Sequence, residues 1–175
     1  LAMAVTMPYK KKIISYLDKL DNFANKTKSV NLVLKKKNKL VGYNTDIFGA
    51  IESIKDKIKI YKTIVIIGLG GTGTAIFNYL RKTFLDKKFI LVSKKNKNQF
   101  YKKNVLVQKR ISKKILKTRA LIINCTPLGS SLKKEFIKKT PLNKNDFKYI
   151  NKKSFIFDII YSPKKTILNS LDYLL

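Results

Sequence analysis

The most regular hydrophobic pattern in the chain lies between residues 63 and 84. Its first five residues, T-I-V-I-I (63–67), are apolar or β-branched with no polar alternation, which predicts a strand buried on both faces. Four glycines follow this run directly: Gly68, Gly70, Gly71 and Gly73. Apolar residues then recur at helical spacing as far as Phe84. The pattern therefore predicts a strand, a glycine-rich turn and a helix in succession.

The remainder of the second half alternates short apolar runs with polar segments. Further strands are predicted at residues 89–92, 104–107, 120–124 and 154–160. A helix is predicted at residues 111–116, and another within the polar stretch that begins at Lys133. Strands that alternate with helices and are joined by right-handed crossovers form a parallel sheet. We therefore predict an α/β fold with a Rossmann-type doubly wound parallel sheet.

The first third of the chain has a different pattern. Apolar residues at helical spacing predict an amphipathic helix over residues 10–20, and two short strands are predicted at residues 30–34 and 39–41. A helix is expected from about residue 45 to residue 59, with Thr45 or Asp46 as its N-cap. The prediction is a small α/β domain over residues 1–58 and a nucleotide-binding domain over residues 59–175, joined through this helix.

The lysine-rich composition affects which partners are considered. The chain has 39 lysine and arginine residues against 10 acidic ones, a formal net charge of +29, which by itself favours nucleic acid or an anionic membrane as partner. However, only Arg81, Arg110 and Arg119 are arginines, and the lysines are spread through every segment. A solvated basic surface is therefore favoured, with no nucleic-acid and no membrane partner. Its field can still steer anionic small molecules.

The other compositional features limit the chemistry. Cys125 is the only cysteine, which excludes a disulfide framework and fits the reducing cytoplasm. No apolar run reaches the roughly 18 residues of a membrane span, and no signal-peptide pattern is present, so a cytoplasmic location is predicted. The chain has no histidine and no cluster with metal-ligand spacing, so no metal site is predicted.

The glycine turn is the first candidate for ligand binding. Glycines allow a pyrophosphate to approach the backbone amides, and the following helix N-terminus offers unpaired N–H groups and a positive dipole end. The spacing departs from strict G-x-G-x-x-G, because Gly71 is interposed between Gly70 and Gly73. A glycine-rich structural turn with no ligand is the alternative interpretation.

Residues that follow the other strands are also candidates, because ligands bind at the carboxyl ends of strands in such sheets. Ser93, Lys94 and Lys95 stand where an NAD site has an acidic residue, and cations there suit the 2′-phosphate of NADP. Exposed lysines without a ligand remain the alternative. The turns at residues 124–129 and 158–166 are either walls of a nicotinamide pocket or structural turns, and Cys125 is interpreted as a small buried hydrophobe.

In the first third, polar residues lie at strand and helix ends. A lysine beside a carboxylate can pass a proton to a reacting carbonyl or alcohol. The polar residues at these strand and helix ends are Lys10, Asn31, Asn44, Thr45 and Asp46. Chemistry alone does not select Lys10 from the many lysines present.

A series of separated motifs, in one order, makes that selection. They are A-V-T-M-P-Y-K (4–10), S-V-N-L (29–32), G-Y-N-T-D (42–46), I-G-L-G-G-T-G-T-A (67–75), I-N-C-T-P-L-G (123–129) and D-I-I-Y-S-P (158–163) with Thr166. Together they resemble the shikimate dehydrogenase family, which includes shikimate/quinate dehydrogenases, over roughly residues 4 to 170. The resemblance implies a two-domain, NADP-dependent enzyme that interconverts shikimate and 3-dehydroshikimate.

The resemblance also implies roles for individual residues. Lys10 and Asp46 match the family's catalytic lysine and substrate-binding acid, while Thr6, Asn31 and Tyr161 match substrate-binding positions. The cofactor-binding positions that it implies are Gly68, Gly70, Gly71, Thr72, Gly73, Ser93, Lys94, Thr126 and Ile159. The family's N-terminal serine pair and its C-terminal glutamine-bearing helix have no counterpart in the chain, so truncation at both ends is expected.

Three other functions stay open at the sequence level. One is a quinate or shikimate dehydrogenase that uses NAD, against which Lys94 argues. Another is a catalytically incomplete fragment that binds nucleotide, and a third is a polyanion-binding module. The expected partner is a small-molecule substrate, with a homodimer left open.

Overall fold

The computed structural model describes residues 1–6, 8–94 and 103–170, which divide into two compact units. The first unit contains Leu1–Ser53 together with Gly70–Tyr79. The second contains Ile54–Leu69 and the chain from Leu80 onward. The predicted boundary after residue 58 stays a prediction.

The first unit is built on a small mixed sheet. Its elements are β1 (Ala2–Ala4), α1 (Tyr9–Lys12), a 3-10 helix (Ile13–Tyr16), β2 (Lys19–Leu20), α2 (Asn22–Thr27), β3 (Leu32–Lys36), β4 (Lys39–Tyr43) and α3 (Thr45–Ser53). The strand order is β1-β3-β4-β2, in which only the β2–β4 pair is parallel. Lys37 and Asn38 both have positive φ, as a two-residue turn between twisted antiparallel strands requires. The two predicted strands around this turn are confirmed, with slightly different bounds.

The second unit contains a five-stranded, wholly parallel sheet. Its elements are α4 (Lys55–Ile60), β5 (Thr63–Ile67), β6 (Lys88–Val92), β7 (Val105–Gln108), α6 (Lys113–Leu116), β8 (Leu121–Asn124), α7 (Lys134–Ile137), a 3-10 helix (Lys144–Tyr149) and β9 (Phe155–Asp158). Helix α5 (Gly71–Thr83) contributes only its residues from Leu80 onward to this unit. The strand order β7-β6-β5-β8-β9 places β5, the first strand of this unit, in the middle. This is the doubly wound topology that the sequence predicts.

The register of this sheet aligns the ends of its strands. Ile67 at the end of β5 pairs with Val92 of β6 and with Asn124 of β8. On the outer strands, Val92 pairs with Gln108 of β7, and Asn124 pairs with Asp158 of β9. All five strands therefore end on one row. The first two residues that follow this row on each strand form what we call the carboxyl edge.

The hydrophobic core of the second unit explains why the sequences of β5 and β8 are almost entirely apolar. Ile64 and Ile123 are fully buried, since these central strands are covered on both faces. One cluster of the core contains Val65, Ile67, Val92, Ile115, Leu116, Ala120, Ile122, Leu142, Ile150, Ile156 and Leu168. A rigid, close-packed layer of this kind holds the carboxyl edge in place.

The predicted helix over residues 10–20 is wrong in its second half. The helical turns end at Tyr16, and Leu17 adopts an extended conformation with φ −108° and ψ 138°. The amide of Asp18 donates to the carbonyl of Leu40, and Lys19 and Leu20 pair with β4. The apolar residues of this stretch nevertheless pack on one core, because Leu17 and Leu20 both contact the buried group Ala24, Val30 and Val33.

The predicted helix over residues 45–59 is interrupted, and its predicted cap is wrong. Ile54, with φ −118° and ψ 14°, separates α3 from α4. The helix already begins at Thr45, and the side-chain oxygen of Asn44 accepts from the amide of Ile47 at 3.5 Å. Asn44, rather than Thr45 or Asp46, therefore occupies the capping position, which leaves the Asp46 carboxylate available for other contacts.

A substitution at Gly42 tests the core of the first unit. A Cβ atom at Gly42 would lie 2.5 Å from Cδ1 of Leu17 and 2.8 Å from Cγ2 of Val30. Because overpacking forces side chains out of their rotamers, Gly42→Ala is expected to lower the free energy of unfolding by about 1–3 kcal/mol in urea denaturation. Gly49→Ala is the matched control, since nothing lies within 4 Å of that position and alanine favours a helix. Equal stability of the two variants would contradict this packing.

Candidate active site

An ammonium–carboxylate pair lies at the centre of the polar residues of the first unit. Nζ of Lys10 donates to Oδ2 of Asp46 at 2.8 Å, and the two side chains are 26% and 57% exposed. Lys10 comes from α1 and Asp46 from the first turn of α3, so the fold joins residues that are far apart in sequence. An exposed pair of this kind contributes little to stability, and its position favours a role in binding or chemistry.

Asn31 holds the other oxygen of the carboxylate. Its Nδ2 donates to Oδ1 of Asp46 at 2.6 Å and to Oγ1 of Thr45 at 2.9 Å, while its Oδ1 accepts from the amide of Thr45 at 2.9 Å. The amide side chain of Asn31 is therefore fixed at both ends. The Asp46 carboxylate is held between the amide of Asn31 and the ammonium group of Lys10, and its fixed position orients the Lys10 side chain.

Backbone hydrogen bonds bring Thr6 into the same neighbourhood. The amide of Val5 donates to the carbonyl of Asn31 at 2.9 Å, and the amide of Val30 donates to the carbonyl of Lys10 at 2.8 Å. Thr6 itself is exposed. These bonds tie the segments that carry Thr6, Lys10 and Asn31, so the structure brings these three predicted substrate-binding residues and Asp46 to one part of the first unit.

Asn44 and Thr45, two of the polar candidates in the sequence, support this site. Asn44 is 5% exposed and donates to Oγ1 of Thr27 at 2.9 Å and to the carbonyl of Ser29 at 3.0 Å. Thr45 bonds Asn31 as described above. The motif N-T-D contains both residues, and the capping preference of asparagine immediately before a helix is the sequence signal for the role of Asn44.

Gly68 and Gly70 of the glycine turn differ in what surrounds them. Gly68 has φ +94°, a conformation that favours glycine, and a Cβ atom there would lie 2.7 Å from Cγ2 of Thr126. Gly70 has nothing within 4 Å of its Cβ position, so no protein atom requires a glycine there. Open space at this position is what a pyrophosphate that approaches the backbone would need.

The helix α5 begins within the glycine motif itself. It starts at Gly71 and has no acidic residue in its first turn, so its positive dipole end is not neutralised locally. Thr72 and Gly73 therefore belong to the first turn of the helix rather than to a loop. The dipole end and the open Gly70 position together fit a phosphate group.

Gly71 has a packing role. Within the first unit, a Cβ atom at Gly71 would lie 3.0 Å from the carbonyl oxygen and 3.2 Å from Cα of Thr27. The same face of α5 carries a ring contact between Tyr79 and Phe23 of α2, with centroids 5.7 Å apart. Close packing of α5 on α2 accounts for this glycine, so its presence is not by itself evidence of a ligand.

Four of the other predicted cofactor residues lie at the carboxyl edge. Ser93 follows the end of β6, and Ile159 follows the end of β9, with its amide donating to the carbonyl of Asn124 at 3.3 Å. Thr126 donates to Oδ1 of Asn124 at 2.8 Å, and Lys94 is exposed beside Ser93. Lys95 lies outside the described residues.

Asp158 anchors the segment that carries Tyr161. Its Oδ1 accepts from Nδ2 of Asn124 at 2.9 Å and its Oδ2 accepts from Oγ1 of Thr166 at 2.7 Å, and both partners are buried. Tyr161 lies between these two anchored positions and is 86% exposed. Its role toward a substrate stays a prediction.

The surroundings of Cys125 make it a weak nucleophile. Burial raises the pKa of the Cys125 thiol from 9.0 to about 12, and the carboxylate of Asp158 adds to the increase. Because the thiolate is the reactive form, the residue behaves as a small hydrophobe at neutral pH.

The raised pKa leads to a prediction about alkylation. At pH 9 the thiol of the folded protein lies three pH units below its pKa of about 12, whereas the unfolded thiol is half ionised. Iodoacetamide is therefore expected to modify the folded protein about a hundredfold or more slowly than the urea-unfolded protein. Folded stability should fall as the pH rises from 9 toward 12, since only the unfolded chain releases this proton there. Equal alkylation rates would contradict the burial of the thiol.

Two other classes of site are absent from the part of the chain that the structure describes. No helix there is long and apolar enough to cross a bilayer. No group of three or more cysteine, aspartate or glutamate side chains is placed to hold a metal ion within residues 1–6, 8–94 and 103–170.

Comparison with known proteins shows similarity to shikimate dehydrogenases. The model of the shikimate dehydrogenase substrate binding domain matches residues 2–33. A protein of Clostridium beijerinckii named shikimate dehydrogenase (NADP(+)) is 34% identical over 165 residues, which are 93% of this chain and 58% of that protein. The chain spans 58% to 62% of the length of the first curated relatives that it matches.

Solved structures agree with this result. The shikimate dehydrogenase of Aquifex aeolicus matches with a TM-score of 0.69 and 28% identity over 97% of this chain and 61% of that one. A shikimate dehydrogenase solved in complex with NADP+ matches with a TM-score of 0.68 and 25% identity over 97% of this chain and 61% of that one. The similarity extends through both units of the chain.

Proposed function

Because this chain is related to the shikimate dehydrogenases along nearly all of its length, we propose that it is an NADP-dependent oxidoreductase that interconverts shikimate and 3-dehydroshikimate. The observation that carries the proposal is the contact between Lys10 and Asp46, which Asn31 supports from the other side. The family resemblance requires a lysine and an acid at these positions, and the fold joins them at hydrogen-bond distance.

The residues of the pair have separate tasks in this proposal. NADPH or NADP+, when bound, supplies or accepts the hydride. Lys10 donates a proton to the substrate oxygen during reduction and accepts it during oxidation, and its positive charge stabilises negative charge that develops on that oxygen. Asp46 orients the ammonium group and binds substrate hydroxyls, while Thr6 and Asn31 add hydrogen bonds that fix the ring.

The carboxyl edge and the glycine turn support a dinucleotide as cofactor. Gly68 and Gly70 provide the tight turn and the open approach to the backbone. Ser93 and Lys94 follow the strand at which an NAD-specific protein has an acidic residue, and a cation there favours the 2′-phosphate of NADP. Thr126 and Ile159 are assigned to the nicotinamide side on the family resemblance.

The test is a spectrophotometric assay of the purified chain. Oxidation of shikimate should increase NADPH absorbance in the presence of NADP+, and NAD or quinate should give lower kcat/KM. A preference for NAD with quinate would replace this proposal by the related quinate-type activity. Absence of turnover together with tight binding of NADPH would instead identify a nucleotide-binding fragment.

The setting in which the protein works is part of the proposal. One cysteine without a disulfide partner supports the reducing cytoplasm. The lysines are distributed over both units rather than gathered in one segment, which favours a small-molecule partner over nucleic acid or a membrane. A homodimer stays a prediction.

A further inference from the structure

We propose that Arg110 is a specificity-determining residue that binds the ribose 2′-phosphate of the cofactor together with Ser93 and Lys94. The inference rests on the proposed NADP-dependent function and adds a residue that the family motifs in this sequence do not include. It also changes the chemistry of the phosphate site from lysine alone to lysine and arginine.

The register of the sheet puts Lys94 and Arg110 at equivalent positions beyond the ends of two neighbouring strands. Val92 of β6 pairs with Gln108 of β7, and the amide of Ser93 donates to the carbonyl of Gln108 at 2.9 Å. The strands β6 and β7 therefore end side by side, about 4.8 Å apart, at the carboxyl edge. Lys94 and Arg110 are each the second residue beyond this last rung.

The charges at this position are not neutralised. Lys94, Lys109 and Arg110 are all exposed, and none of them has an acidic partner within 4 Å in the described ranges. Other cations of the protein do have such partners, as Lys10 has Asp46 and Lys87 has Asp86. An exposed group of cations without carboxylates, beside the hydroxyl of Ser93, is suited to a phosphate dianion.

Arginine provides what lysine cannot. The planar guanidinium group presents a fork of donors that matches two phosphate oxygens, whereas an ammonium group acts as a point charge. The chain has only three arginines, and Arg110 is the one that follows a strand at the carboxyl edge.

The test compares Arg110→Gln with Arg119→Gln by isothermal titration with 2′,5′-ADP and with 5′-AMP. Arg119 precedes β8 at the opposite edge of the sheet and is also exposed, so its replacement makes the same change in net charge. We expect Arg110→Gln to weaken 2′,5′-ADP binding about tenfold or more, as for loss of a charge-assisted hydrogen-bond pair, and to leave 5′-AMP binding unchanged. Arg119→Gln should change neither.

Three results would overturn the inference. These are unchanged 2′,5′-ADP binding in Arg110→Gln, an equal loss for both ligands, or an equal loss in both variants. The proposed enzymatic activity can fail separately. A wild-type protein that discriminates 2′,5′-ADP through Arg110 but does not oxidise shikimate would retain this site and refute the activity. Shikimate turnover with an unchanged NADP preference in Arg110→Gln would support the activity and refute the role of Arg110.

Discussion

Replacing Lys10 by methionine is expected to lower kcat for shikimate oxidation by about 10²–10⁴-fold, the contribution of a general acid–base group, while KM changes little. Methionine retains an unbranched apolar side chain but cannot transfer a proton. The fold should tolerate the change, because Asp46 is 57% exposed and keeps its 2.6 Å hydrogen bond from Asn31. Steady-state kinetics with NADP+ would measure the effect.

Lys11→Met provides the matched control for this experiment. Lys11 lies next to Lys10 in α1 and is exposed, with no ion pair to an acidic residue described in the structure. It should keep the activity of the wild-type protein. A kcat for Lys10→Met close to that of Lys11→Met would remove Lys10 from the reaction and leave only the general positive field of the chain.

Replacing Asp158 by alanine is expected to lower the free energy of unfolding by about 2–5 kcal/mol in urea denaturation, since each buried donor left unpaired costs about 1–3 kcal/mol. The donors are Nδ2 of Asn124 at 2.9 Å and Oγ1 of Thr166 at 2.7 Å, whose residues are 0% and 3% exposed. The carboxylate therefore stabilises the strand ends and the turn after β9, whatever ligand binds there.

Two further variants distinguish this structural role from a simple charge effect. Asp56→Ala removes a carboxylate that is 91% exposed and 3.7 Å from Lys59, and should change stability by less than about 0.5 kcal/mol. Asp158→Asn keeps the shape and should lower the pKa of the Cys125 thiol, because the Asp158 charge contributes to raising it. Stability losses of the same size in Asp56→Ala and Asp158→Ala would contradict the buried network.

The parallel sheet could be predicted from the sequence because its central strands are covered on both faces. Such strands are continuous apolar runs, and the glycines after β5 mark the turn into α5. The first unit was harder to predict. Its apolar residues between Ile13 and Leu20 keep helical spacing, yet hydrogen bonds to Leu40 and β4 draw the second half into a strand. Tertiary pairing there overrides local periodicity.

The candidate site was predictable to different extents. Lys10 and Asp46 were identified through the family motifs, and no local pattern in the sequence showed that they would meet. Helix α2 was not predicted, because its sequence N-F-A-N-K-T is short and polar, although Asp21 caps it by accepting from the amide of Ala24 at 2.7 Å. Arg110 depends on the register between β6 and β7, which sequence periodicity does not specify.

The residues of α5 belong to both compact units, with Gly71–Tyr79 in the first and the residues from Leu80 in the second. Neither unit is therefore a continuous stretch of the polypeptide. A chain cut after residue 58 would take from Phe23 its ring partner Tyr79 and from Thr27 its close neighbour Gly71. Through helix α5, the folding of the first unit, which contains Lys10 and Asp46, thus depends on the segment that begins at the glycine turn.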